Sequence, residues 1–459
     1  MTPEPKVRLR LRCSLLLPLL LLSAVSCAIV DTWSYHNQQV QVSVKPTQAN
    51  YVVGDKETSD KMFVGLALSG GGSRAANFSA AVMLELKKRG ILQRVDFISS
   101  VSGGSLAAAY YALEGYKGIT FEEAEIKDRM GRNFQQRWLW SWFNPIHILR
   151  YWFTDYTRSD IMVPVFDSNL FHGATFADLK GERPKLLINA TDSGTFERFT
   201  FSDEMFADIQ SDLQFFSIAR AVNISSAFPG AFQTVTVQDY REKNTYRHLY
   251  DGGPADNLGL DALADVLLRA VCEGFRSPRG SQQSVMQQSI STQGKCHNGE
   301  LPKPLTEIFP DGCLVISVDA APWGIDRDVH RAHTRRFADY IIDRNVLNAT
   351  DVMLLHNRQA MLEAFGIRKD DIDKERFGQF SFDDNKTFCE FWHIALRHIL
   401  RDDDLGKQVH HIETSFNIEE PEQKALFDAA KRLVEKGLTA VSAKGKDQGK
   451  AIKALLTEQ

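Results

Sequence analysis

The chain has 459 residues, 43% of them hydrophobic, enough for one large or two ordinary packed domains. Its formal charge of −4 and the lack of a basic block argue against a nucleic-acid partner. Six cysteines with no C-x-x-C pair and no Cys/His cluster offer no metal-binding framework.

Lys6, Arg8, Arg10 and Arg12 precede residues 14–25 (SLLLPLLLLSAV), an apolar run too short to span a bilayer as a helix. It closes on Ala24-Val25-Ser26-Cys27. This pattern predicts a signal peptide over 1–26, with Cys27 becoming the lipid-modified N-terminus of an exported bacterial lipoprotein. Cleavage by an ordinary signal peptidase, giving a secreted protein, is the alternative. Ala28 rather than Asp after Cys27 would permit outer-membrane sorting. Residues 27–60 read as a polar tether, with a short strand at 40–44.

Residues 61–68 (KMFVGLAL) read as a buried strand. Ser69-Gly70-Gly71-Gly72-Ser73-Arg74 follows, and 75–89 carries apolar residues at helical spacing. A second strand over 95–99 leads through Ser100-Val101-Ser102-Gly103-Gly104 into a helix rich in Ala and Leu. Such a turn of small residues can lift one Ser above a sheet, as a G-x-S-x-G elbow does, with Ser100 standing for the first Gly. A right-handed crossover brings both turns to the same carboxyl edge, where open α/β sheets bind ligands. Ser102 is therefore a candidate nucleophile. The amides of Gly70, Gly71 and Gly72, at the start of a helix, are a candidate oxyanion hole. A phosphate-binding loop is the competing reading, but no Lys-Ser/Thr follows and the G-x-G-x-x-G spacing is absent.

Farther along, residues 137–143 and 151–153 hold four of the seven Trp residues. They predict either a lipid-facing segment or a helical pair packed on the sheet. Strands are predicted at 185–189 and 196–201, joined by Asp192-Ser193-Gly194 as a hairpin turn. A helix over 215–225 ends in Ser226-Ala227-Phe228-Pro229-Gly230-Ala231-Phe232. A strand at 246–250 runs into Asp251-Gly252-Gly253, a third strand-to-helix turn, with a helix following to about 271. Asp251 there is either a turn former or a functional carboxylate. Residues 274–303 read as a disordered polar insertion, across which Cys272 and Cys296 could pair. Residues 313–318 give one more core strand, in which Cys313 reads as a small buried residue; Cys389 is left unassigned. Beyond 328 the pattern is helical, at 335–347, 351–365 and 420–436, and the last twenty residues, rich in Lys, are expected to fray.

These motifs, in this order, resemble the patatin-like phospholipase family over roughly residues 62–365. Ser69–Arg74 is similar to its glycine-rich loop, residues 100–104 to its elbow, SAFPGAF to its Pro-containing helix end and DGG to its Asp motif. Ala75 stands where the family usually has Gly. The resemblance implies an α/β fold of three layers around a mostly parallel sheet. It divides the chain into a catalytic core over 61–330 and a helical C-terminal part, 331–459, packed on that core. It also implies a serine lipid acyl hydrolase of the phospholipase A or lysophospholipase type. Ser102 would attack an ester carbonyl and form an acyl-enzyme, Asp251 would take the proton, and Gly70, Gly71 and Gly72 would hold the oxyanion. Arg74 would add positive charge beside them or form a surface salt bridge. The partners so implied are a fatty-acyl ester and a membrane surface, reached through lipid on Cys27 and the Trp138–Trp152 segment. No cofactor and no metal are called for.

Two other readings stay open on the residues alone. An α/β-hydrolase with a Ser-Asp-His triad would draw its base from a histidine after Asp251, His393, His398, His410 and His411 among others. A lipoprotein that binds lipid without turnover would need neither Ser102 nor Asp251.

Overall fold

The computed structural model describes residues 37–40, 62–153, 156–179, 184–272, 303–322, 354, 357–381, 389–443 and 450–457. The leader with Cys27, nearly all of the tether, the polar insertion and the helix expected at 335–347 lie outside the described residues.

The sheet is built from segments whose side chains are buried on both faces. Met62–Leu68 (β1), Phe97–Val101 (β2) and Lys185–Asp192 (β3) run parallel, and Gly312–Asp319 (β7) lies parallel on the other side of β1. Cys389–Ala395 (β9) extends this parallel set beyond β7, and Phe377–Phe380 (β8) closes that edge antiparallel to β9. At the other end, Arg198–Phe201 (β4) and Thr245–Asp251 (β6) both pair antiparallel with β3, and Val235–Asp239 (β5) pairs with β6.

Alternation along the strands splits the core in two. From β1, Met62, Val64, Leu66 and Leu68 enter one apolar cluster, whereas Phe63 and Ala67 enter the other. The first face is covered by Gly72–Lys87 (α1), Gly103–Ala112 (α2), Phe134–Ser141 (α3), Ile218–Ser225 (α5) and the long Glu420–Ala443 (α7), which packs along α1. The second face is covered by Leu260–Val271 (α6) with Met361, Leu362 and Phe365. The result is a mixed α/β fold with a central, mostly parallel sheet between helical layers. Pro145–Phe153 (α4) follows α3.

Several expectations change. The C-terminal part is not purely helical: β8 and β9 complete the central sheet. Residues 389–395 (CEFWHIA) are apolar enough to be buried on both faces, a composition that helices and central strands share. Cys313 is not an isolated core residue. It forms a disulfide with Cys389, which lies opposite it on the adjacent strand, Cα to Cα 4.6 Å. Cys272 is also disulfide-bonded, while Cys296 lies outside the described residues. The last residues do not all fray: Lys450–Thr457 (α8) buries Ala451, Ile452 and Leu455 against β7. The short N-terminal strand falls at Gln38–Gln39, pairing with Ser211–Asp212, and 41–44 is outside the described residues. The helix at 215 begins only at Ile218, capped by Ser217.

Candidate active site

Strand pairing alone brings two of the motifs together. β3 pairs with β2 through residues 185–189, with β4 through 188–191 and with β6 through 190–192. Because β4 overlaps both of the others along β3, it occupies one edge, and β2 and β6 must share the opposite edge. β2 runs with β3 and β6 runs against it, so their C-terminal ends meet head to head. Ser102 is the first residue after β2 and Asp251 is the last of β6.

Ser102 takes φ 51° and ψ −123°, a conformation that costs a side-chain-bearing residue about 1–3 kcal/mol. The surroundings hold it there. Its N–H donates to Ser225 Oγ at 2.9 Å, and its carbonyl accepts from Ser105 N at 2.9 Å in the first turn of α2. Gly103 packs so closely on Gly72 that a Cβ would collide with the Gly72 carbonyl. The Ser102 side chain lies beside the Asp251 carboxylate and favours its ionised form, and both residues are buried. Asp251 Oδ1 also accepts from Gly253 N at 2.8 Å. Burial pushes the Asp251 carboxyl up to about 6, only partly offset by the Gly253 amide and the Ser102 hydroxyl.

The glycine loop lies against this pair. A Cβ on Gly70 would sit 3.4 Å from Ser102 Cβ, and α1 starts at Gly72 with φ +60°, where the Ser415 carbonyl leaves no room for a side chain. Gly70, Gly71 and Gly72 do not contribute equally. The Gly70 N–H donates to Asn257 O at 3.0 Å, so it is already engaged and is removed from the candidate donors. Gly71 and Gly72 lie at the open N-terminus of α1, where the helix dipole favours negative charge. Arg74 is not a surface side chain, and its Nη2 lies 3.1 Å from the place of a Gly71 Cβ, beside the glycine loop. It is buried, and its guanidinium donates to Ala320 O (2.8 Å), Ile412 O (2.7 Å) and Thr414 Oγ1 (3.1 Å). It ties α1 to the end of β7 and to the segment before α7, because buried carbonyls demand donors.

Three positioning residues escaped the sequence reading. Ser225 Oγ accepts from Ser102 N, donates to Asn189 O at 2.6 Å and meets Ser105 Oγ at 3.1 Å. The Asn189 side chain, on β3, bridges Ser99 Oγ (2.8 Å) and Ser100 O (3.1 Å) on β2 and accepts from Thr200 Oγ1 (2.9 Å). Asn257 holds Gly70 through its carbonyl, and its side-chain oxygen lies 2.6 Å from the place of a Gly70 Cβ and 3.2 Å from that of Gly253. A lone Asn inside the apolar run LLINATD was the one signal available for Asn189.

None of the four histidines is hydrogen-bonded to Ser102 or Asp251 among the described residues. His393 Nε2 meets Asp319 Oδ2 at 3.3 Å, His398 packs edge-on against His393, and His410 Nε2 and His411 Nδ1 bond the carbonyls of Ile399 and Lys407. Cys27 lies outside the described residues.

Residues 66–264 match the family model for patatin-like phospholipase. Among solved structures, the chain is similar to human GIVD cytosolic phospholipase A2 at 12% identity and a TM-score of 0.45, covering 86% of this chain and 60% of that one. The same human protein in complex with methyl gamma-linolenyl fluorophosphonate matches at 14% identity and a TM-score of 0.42, covering 86% and 59%. VipD from Legionella pneumophila matches at 14% identity and a TM-score of 0.31, covering 82% and 67%. The chain therefore spans about three fifths of the length of the human protein. None of the curated proteins matches it in sequence.

Proposed function

We propose that the patatin-like phospholipase domain over residues 66–264 makes this protein a serine lipid acyl hydrolase working through a Ser102–Asp251 dyad. The observation that carries the reading is the juxtaposition of a strained, buried Ser102 with a buried carboxylate that has no cation beside it among the described residues. A hydroxyl is a weak nucleophile until a neighbouring base takes its proton. In this reading Ser102 Oγ attacks the acyl carbonyl carbon while its proton passes to Asp251. The tetrahedral oxyanion faces the amides of Gly71 and Gly72. Collapse breaks the ester C–O bond, and Asp251 returns the proton to the leaving alcohol. Water then loses a proton to Asp251 and attacks the acyl-Ser, releasing the fatty acid and the Ser102 hydroxyl. A triad is disfavoured because His393 is committed to Asp319 and His410 and His411 to backbone carbonyls. A non-catalytic binder would gain nothing from holding Ser102 in a costly conformation.

The test is labelling by an alkyl fluorophosphonate combined with product identification on a panel of phospholipids, lysophospholipids and glycerides by mass spectrometry. Covalent modification at Ser102 and fatty-acid release lost in Ser102→Ala are expected. Labelling elsewhere, or turnover that persists in Ser102→Ala, would refute the dyad. The leader adds a second proposal, an exported protein anchored in a bacterial membrane by lipid on Cys27. Cys27→Ser should release it from membranes or leave the leader uncleaved, and an unmodified mature N-terminus would end that idea.

A further inference from the structure

The helical hairpin α3–α4 divides its aromatic residues between two tasks. Trp138 is only 7% exposed, donates its Nε1–H to Arg158 O at 3.1 Å and stacks on Phe232 at 5.3 Å between ring centres. Trp142 packs between Trp138 (5.9 Å) and Tyr151 (5.0 Å), joining the two helices. These residues root the hairpin in the fold. The others face outward: Phe143 and Trp152 are each 73% exposed, and Trp140, Ile146 and Leu149 are more than half exposed. Ile146, Leu149 and Trp152 fall on one face of α4 at helical spacing. Most of the exposed large apolar side chains of the described residues gather in this one hairpin. Contiguous apolar surface of this kind marks an interaction site.

The chemistry of the surface says what covers it. Between Asp128 and Asp155 the sequence has no acidic residue and four arginines; Arg129 and Arg132 pair with Glu125 and Asp128, while Arg137 and Arg150 belong to the hairpin itself. Exposed Trp rings beside Arg, on helices of eight and nine residues, suit a lipid headgroup boundary and not a bilayer span. The root of the hairpin also adjoins the site. Gln135 N donates to Phe416 O at 3.1 Å, Phe416 meets Phe232 edge-on at 5.5 Å between ring centres, and the neighbouring Ser415 carbonyl accepts from Ser73 N at 2.7 Å in the first turn of α1. The base of the hairpin is therefore tied to the segment that packs on the first turn of α1.

We infer that α3–α4 is a docking surface for an anionic phospholipid bilayer, inserting Trp140, Phe143, Ile146, Leu149 and Trp152 at the headgroup boundary and bringing the Ser102 site to the membrane. The inference rests on the lipid hydrolase reading only for its purpose, since docking is measurable without turnover. The experiment uses the full chain carrying Ser102→Ala, mixed with vesicles of phosphatidylglycerol and phosphatidylcholine whose acyl chains are brominated. Bromine quenches only Trp residues that reach the acyl region. Replacing Trp140 and Trp152 by Phe keeps the surface apolar but removes its reporters, and about half or more of the quenching should disappear. In the chain with Ser102 intact, Trp140→Ser with Phe143→Ser and Trp152→Ser should lower the ratio of vesicle to soluble-ester turnover at least about tenfold. Quenching that is the same with and without Trp140 and Trp152 overturns the inference. So does a dimer in solution that the three serine substitutions dissociate, because the face would then belong to a second copy. Turnover that persists in Ser102→Ala beside intact quenching would overturn the hydrolase reading and leave this one standing.

Discussion

Two aspartates in this fold have the same local geometry and opposite electrostatics. Asp251 and Asp319 are each the last residue of a strand, each is buried, and each accepts at Oδ1 from the amide two residues on: Gly253 N at 2.8 Å and Ala321 N at 2.9 Å. Burial alone would raise both carboxyls. At Asp251 it wins, and the group stands at about 6. At Asp319, Arg358 and then His393 outweigh burial and hold the carboxyl well below the usual carboxylate range. An unpaired buried carboxylate takes protons near neutrality and can serve as a base, whereas one clamped by a guanidinium is a structural anion. The backbone supplies the same cradle twice, and the neighbouring cation decides its use.

Exchanging the demands on the two groups gives the largest effects. Asp251→Asn should lower ester turnover by about a thousandfold, as general-base loss typically does. Its melting temperature should hold or rise. The raised carboxyl contributes stability below its ordinary value of 3.8 and loses it as pH rises to about 6, so above that the fold carries the ionised form at a cost of up to about 3 kcal/mol that Asn removes. Steady-state assays with differential scanning calorimetry would check both halves, and a destabilised Asp251→Asn would make Asp251 structural. Asp319→Asn should do the reverse, costing about 3–5 kcal/mol by leaving Arg358 buried without its partner. Its depressed carboxyl gives stability that is present above the ordinary carboxylate range and is lost as pH falls through that range toward the folded value. Urea titrations of the wild type and Asp319→Asn should therefore show a smaller gap at pH 3 than at pH 7, without closing it.

The disulfide at the opposite end of β7 from Asp319 gives a comparable effect. Reducing Cys313–Cys389, or replacing both by Ala, frees a loop with a sequence separation of 76 and should cost up to about 4 kcal/mol, read as a lower denaturation midpoint. Turnover of the folded fraction should change little, because the bond lies at the far ends of β7 and β9 from the carboxyl edge. A milder effect tests what surrounds Asp251. The base must be ionised, so kcat/KM should climb about tenfold per pH unit below about 6 and level above it. The smallest belongs to Ser225→Ala, which leaves the Ser102 amide without its acceptor. About a tenfold fall in kcat with KM little changed is expected, the cost of one lost hydrogen bond to a strained turn. Recovery in Ser225→Thr would show that the hydroxyl, not the packing, matters.

Legibility differed between the two aspartates for a physical reason. The DGG turn lies seven residues before an amphipathic helix and stands out by local composition, as do the Ser elbow and the glycine run. Local propensity and spacing therefore marked Ser102, β1 and β2 and left Asp251 open between turn former and functional carboxylate, while the three-layer, mostly parallel plan came with the family resemblance. Asp319 closes an ordinary apolar strand, and the residues that set its charge, Arg358 and His393, come from 39 and 74 positions away. The partner of Cys313, the engagement of Gly70 by Asn257 and the burial of Arg74 are of the same kind. Each is decided by which backbone carbonyl or cation a long-range contact brings alongside. The same holds in the aromatic segment, whose composition allowed both lipid and core. Only packing separated Trp138 and Trp142, which root the hairpin, from Trp140 and Trp152, which it leaves in the open. Period and turn chemistry are written in neighbouring residues; charge pairing, donor availability and exposure are properties of the closed fold, and there the tertiary structure decided.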